Sequence, residues 1–215
     1  MNKFVLLSGF SFLLITAISA QENETGFLNN DAECSKNFFA GVGLRTNVYV
    51  NDNARNDFNV WKSPTLGASV FAGKWFSYYF GGRVTLESGK LHSYFQKKTI
   101  MTDEGYASAR VDVLFNLTNS LRPCRCSPKR GYNLIPYVGI GGISAFNAKN
   151  RPDTADGSTS ILFGGGLLNS FKLSHKFFAF LNLGLDVVDA SVDGWERDKK
   201  WNGIASGSIG VIMDF

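Results

Sequence analysis

From residue 38 to residue 215, apolar side chains return at every second position, in one segment after another. A period of two marks a strand with one face in an apolar medium and the other in a polar one. In 38–50, Ala40, Val42, Leu44, Val48 and Val50 share a face, against Gly41, Gly43, Arg45 and Asn47. In 79–88, Phe80, Val84 and Leu86 oppose Gly81, Arg83, Thr85 and Glu87. In 177–190, Ala179, Leu181, Leu183, Leu185 and Val187 oppose Asn182, Gly184 and Asp186. Segments 65–76, 106–117 and 202–215 repeat the pattern, and 134–147 and 158–171 are strands by content but glycine-rich. The eight segments are each near the ~10 residues that a tilted strand needs to cross a bilayer. The expected fold is all-β: a closed antiparallel eight-stranded transmembrane β-barrel over 38–215.

The ends and connections agree with that expectation. Lys3 starts a short basic leader, an apolar run follows from Phe4 to Ile18, and Ala17, Ser19 and Ala20 supply the small residues of a cleavage site. Residues 1–20 read as a secretory signal peptide and 21–37 as a flexible periplasmic lead-in. No later stretch approaches the ~20 apolar residues of a membrane helix. Connections 51–64, 89–105, 148–157 and 191–201 are long and polar, while 77–78 and 172–176 are short; 118–133 is the exception, a long link where a short turn is expected. Short turns alternating with long loops is the topology of an outer-membrane barrel, with turns toward the periplasm and loops outside. Aromatic residues gather at two levels, with Trp75, Phe76, Tyr78 and Tyr79 at one and Trp61, Tyr94, Trp195 and Trp201 at the other. They match the two interfacial girdles of such a barrel. A soluble sandwich or lipocalin-like carrier would put its charges on the outer face. The net charge of +4 is small and scattered, which argues against nucleic-acid binding.

The leader, the strand PYVGIGGI (136–143), the strand FLNLGLDVV (180–188) and the terminal Phe215 together resemble the small outer-membrane β-barrel family. These are the OmpA-type and opacity-type eight-stranded barrels found as single-domain proteins in Bacteroidetes-like bacteria. The resemblance covers the mature chain, with no peptidoglycan-binding domain after the barrel. It implies an integral protein of a Gram-negative outer membrane, in contact with outer-membrane lipid and lipopolysaccharide. The final row Ile209, Val211, Met213 and Phe215 resembles the C-terminal signal read by the barrel-assembly machinery.

With the apolar face outward, Arg45, Arg83, Glu87, Arg110, Asp112 and Asp186 point into a lumen just wide enough for side chains. Unpaired charges there are costly, so a plug of ion pairs is expected, with Arg83 opposite Asp112 and Glu87 near Arg110. A gated narrow pore is the alternative. His92 falls in an outer loop and His175 in a periplasmic turn, so they share no site and no enzyme, metal or cofactor is expected. Cys34, Cys124 and Cys126 all fall on the periplasmic side, where a disulfide from Cys34 to one of the other two is the first expectation, ahead of free thiols and metal. The outer loops mix rings with charge, as in DGWERDKKW, and suit adhesion or recognition of a surface or envelope protein partner. Asp153-Thr154-Ala155 resembles a short O-glycosylation motif. The expected role is a structural envelope protein. The alternatives are a narrow porin, an accessory barrel of a secretion machine and a lipid-modifying barrel enzyme.

Overall fold

The computed structural model describes residues 38–50, 64–95, 100–121, 131–146, 159–189 and 201–215. The leader, the lead-in, the three cysteines, the Asp153-Thr154-Ala155 motif and the greater part of the long connections lie outside the described residues.

Eight strands run in chain order: β1 (Phe38–Val50), β2 (Thr65–Trp75), β3 (Phe80–Phe95), β4 (Ile100–Phe115), β5 (Tyr132–Phe146), β6 (Thr159–Lys172), β7 (Phe177–Asp189) and β8 (Trp201–Asp214). Each pairs antiparallel with the next, and β8 pairs with β1, so the sheet closes into a barrel with no free edge. One circuit of paired residues gives the stagger. It starts at Ala40 and passes Ala72, Val84, Val111, Ile140, Phe163, Val187 and Gly203 before returning to β1 at Val50, ten residues further along. With a rise of ~3.3 Å per residue and a strand spacing of ~4.8 Å, that advance tilts the strands by roughly 40°.

The alternation read from the sequence sorts the two faces. Val42, Leu44, Val138, Leu183, Leu185 and Ile209 stand exposed on the outside, while Arg45, Asn47, Asp112 and Asp186 are buried inside. In β8, Val211 and Phe215 are exposed and Met213 is half-buried. Ile212, which breaks the alternation there, points inward and is buried.

Two expectations need correction. The stretch 89–105 is not a long loop. The β3–β4 ladder continues past Gly89↔Tyr106 to Phe95↔Ile100, and His92 therefore lies in a strand. Leu91 and Tyr106, on the inward face where this extension begins, are buried. Second, the lumen is not filled by ion pairs alone. Toward the long loops lies an apolar cluster of Leu91, Tyr106, Ile143, Ala145, Leu162, Val188 and Ile204. Toward the short turns lies a larger one, with Phe39, Phe71, Leu114, Ile135, Tyr137, Leu168, Phe180 and Ile212. The physical reason is volume: away from the charged band, rings and branched chains fill a side-chain-wide tube without needing partners.

The turn end is closed by local hydrogen bonds. The amides of Phe76 and Ser77 donate to the Phe80 carbonyl at 2.9 and 3.0 Å, tying β2 to β3. Those of Leu173 and Ser174 donate to Phe177 at 2.9 and 3.0 Å, tying β6 to β7. After β4, a one-turn helix α1 (Leu117–Ser120) starts at Asn116, whose side chain accepts from the Asn119 amide at 3.0 Å. The Thr118 hydroxyl accepts from the Leu134 amide at 2.8 Å and anchors the start of β5.

Candidate functional site: a charged ring across the lumen

The site lies between the two apolar clusters and is set by strand register. Arg83 and Asp112 are direct partners across β3 and β4, and Arg83 Nε and Nη2 both reach Asp112 Oδ2, at 2.8 and 2.7 Å. Arg110, two residues before Asp112 on the same inward face, reaches the other oxygen through Nε at 2.6 Å. Its Nη1 bonds Asp186 Oδ1 on β7. Arg45 enters from β1, bonds Glu87 Oε1 on β3 through Nη1, and bonds Asp186 Oδ2 through Nη2 at 2.8 Å. Arg110 Nη2 also stands 3.8 Å from Glu87 Oε1, so Arg45, Glu87, Arg110 and Asp186 form a closed ring of alternating sign.

Of the six charged residues singled out from the sequence, all meet here. Arg83 lies opposite Asp112. Glu87 lies beside Arg110 but is bonded chiefly by Arg45, because the register places Ser108 opposite Glu87 and Thr85 opposite Arg110. Among the described residues, the buried charged side chains are these three arginines and three acids, a net charge of zero.

Further residues complete the site. Thr85 donates to Asp112 Oδ2 at 2.9 Å, and Ser108 donates to Glu87 Oε2 at 3.3 Å. Asn47 accepts from Arg45 Nε at 2.5 Å and donates to the Tyr106 hydroxyl at 2.8 Å. The Tyr137 ring lies under two guanidinium groups, with Arg83 at 4.5 Å and Arg110 at 5.4 Å from its centroid. Glycines on the far wall make the room. A Cβ on Gly164 would fall 2.5 Å from Arg110 Nη1 and closer still to Asp186 Oδ1, and one on Gly139 would collide with Asp112 Oδ1. The sequence signal for all of these was parity, since each occupies the same inward face as the six charges.

Each carboxylate of the ring accepts a charge-assisted hydrogen bond from at least one arginine. His175 lies in the turn between β6 and β7, and His92 lies in β3 toward the opposite end of the barrel. Among the described residues, no group of three or more His, Cys, Asp or Glu side chains could hold a metal ion.

No family model matches the chain. Outer membrane protein 40 of Porphyromonas gingivalis is 29% identical over 146 residues, which covers 66% of this chain and 34% of that protein. Outer membrane protein 41 of the same organism is 27% identical over 191 residues, covering 81% of this chain and 46% of that protein. This chain is a Gram-negative outer-membrane β-barrel, homologous to these two proteins. The matched region of this barrel spans between a third and a half of the length of these curated relatives. Solved structures share its fold. Ail of Yersinia pestis, crystallised with the heparin analogue sucrose octasulfate, matches with a TM-score of 0.50 at 12% identity, over 84% of this chain and 99% of that one. The outer membrane protein OprG of Pseudomonas aeruginosa matches with a TM-score of 0.51 at 8% identity, over 84% and 96%.

Proposed function

We propose that this barrel is a non-enzymatic structural component of the outer membrane, sealed through its middle and offering its long loops for adhesion or recognition. The observation that carries the sealed part is the charge-neutral ring of Arg45, Glu87, Arg110 and Asp186, extended by Asp112 and Arg83 and covered above and below by apolar clusters. An ion entering this lumen has to displace rings and break paired charges.

The short turns face the periplasm and the long connections face outward, where they meet lipopolysaccharide sugars and a surface or envelope protein partner. The exposed apolar faces of the strands contact outer-membrane lipid. Ile209, Val211, Met213 and Phe215 form the row that the assembly machinery reads during insertion.

Planar-bilayer recording of the purified barrel tests the seal. No stepwise ion current is expected, and discrete, salt-dependent current steps would replace this reading with that of a narrow porin. Crosslinking in intact cells, resolved by loop, tests the outward role. Labelling of lipopolysaccharide alone would reduce that role to a structural one.

A further inference from the structure

The closed body of the barrel has no free edge, but β3 and β4 outrun it. Their ladder continues through six pairs beyond Gly89↔Tyr106, from Lys90↔Gly105 to Phe95↔Ile100. At a rise of ~3.3 Å per residue, that is roughly 20 Å of strand. The β2–β3 ladder stops at Gly67↔Gly89. The two preceding residues of β2, Leu66 and Thr65, pair with Thr46 and Asn47 of β1 and not with Lys90 and Leu91. Among the described residues, the β2-facing edge of β3 is therefore unpaired from Lys90 to Phe95.

The sequence accounts for the parting. Gly67 and Gly89 bring two backbones close, since a Cβ on Gly89 would stand 2.8 Å from Gly67 Cα. Glycines at such an approach mark a bend or bulge in a sheet. Pro64 stands directly before β2 and has no amide proton to give to a ladder. Upstream of it, Asn51, Asp52, Asn53, Asn56, Asp57 and Asn59 are residue types depleted in strands. Beyond the parting, β3 keeps strand-forming types in Tyr94 and Phe95, and β4 keeps them in Ile100 and Thr102.

A row of unpaired N–H and C=O groups is a template for one more strand, in which main-chain bonds supply the affinity. An extended polypeptide repeats donors and acceptors at the spacing of this row; a sugar or a lipid headgroup does not. A second copy in the same membrane points its β3 the same way, which leaves only the less stable parallel pairing of the two edges. A partner outside the membrane is able to run antiparallel. Lys90 is exposed at the start of the edge, and across strands an opposite charge stabilises a pair where a like charge weakens it. We propose that the edge of β3 from Lys90 to Phe95 takes an extended, carboxylate-bearing polypeptide segment of a surface partner as an added strand. The proposal rests on the recognition reading above and gives it a place and a mode of binding.

The test is residue-resolved amide hydrogen exchange on the detergent-solubilised barrel, titrated with a capped peptide of alternating Thr and Val that carries one central Glu. In the barrel alone, alternate amides between Lys90 and Phe95, those turned from β4, should exchange fast. The peptide should slow them. The same peptide N-methylated at adjacent central residues, so that neither of its edges pairs, should not. Replacing the peptide's Glu with Lys should weaken binding about two- to fivefold, and Lys90→Glu in the barrel should reverse that preference. The proposal is overturned if these amides are already slow in the barrel alone, if millimolar peptide leaves them fast, if the N-methylated peptide protects them equally, or if neither charge change matters. Loop-resolved crosslinking in cells bears on the recognition reading and the peptide titration on the edge, so the two fail separately.

Discussion

Asp186 is the one acid that the last four strands contribute to the buried ring, and it is held by two arginines from the first four, Arg45 on β1 and Arg110 on β4. Replacing it with asparagine keeps the shape and removes the charge. The lumen then holds three arginines against Glu87 and Asp112, a buried net charge of +1. Removing one partner of a buried pair costs about 3–5 kcal/mol, because the remaining charge is stranded without water. The asparagine oxygen still accepts one guanidinium bond, so the lower end applies, ~3 kcal/mol, or roughly a hundredfold in the folded-to-unfolded ratio. The assay is urea unfolding in lipid vesicles, followed by tryptophan fluorescence with Trp75 and Trp201 near opposite ends of the barrel. Combining Asp186→Asn with Arg45→Met restores neutrality, with Arg83 and Arg110 facing Glu87 and Asp112. The double variant should therefore be more stable than Asp186→Asn alone. An Asp186→Asn barrel within about 0.5 kcal/mol of the parent would refute the stranded-charge argument. So would a double variant that loses the full sum of its two singles.

Other perturbations test the rest of the packing. Gly164→Ala should cost about 1–3 kcal/mol by pushing Arg110 from Asp186, whereas Gly142→Ala, whose new methyl would meet nothing nearer than Ser160 O at 3.7 Å, should fall within ~0.5 kcal/mol of the parent; the same urea titration compares them. Phe180→Ala removes a ring packed edge-on against Phe71 at 5.4 Å in the turn-end cluster, and should cost ~3–5 kcal/mol in unfolding free energy. Phe215→Asp changes an exposed side chain whose backbone amide donates to the Phe38 carbonyl at 2.9 Å. The fraction of this variant inserted in cells, measured by membrane fractionation, should fall more than for an equal change in an outer loop. Normal insertion would remove the assembly-signal role of the terminal row.

The barrel was legible because its physics is local. Alternation at period two decides which residues face lipid, and a short turn at Ser77 fixes how β3 meets β2. Arg83 opposite Asp112 needed only the pairing of two consecutive strands. The partnership of Arg45 with Asp186 did not follow from any hairpin, because β1 and β7 approach each other across the lumen only after β8 has closed on β1 with a ten-residue stagger. Phe39, Phe180 and Ile212 share the inward face with polar residues, and alternation alone reads such positions as defects of the pattern. They are filling, placed where the lumen has no charges to occupy it. The stretch 89–105 reads as loop because apolar and polar residues no longer alternate cleanly from His92 to Glu104, although its backbone bonds persist to Phe95 and Ile100.

The wall of this tube is joined round its circumference by hydrogen bonds that resist stretching, but a thin cylinder of one sheet still bends easily and its softest deformation is flattening into an ellipse. Arg45 to Asp186, Arg45 to Glu87 and Arg110 to Asp186 work as spokes, each spanning between strands that are not neighbours in the sheet. Flattening that moves any of these strand pairs apart has to lengthen an ion pair. The ion pairs therefore brace the barrel from inside, at the level between its two apolar clusters.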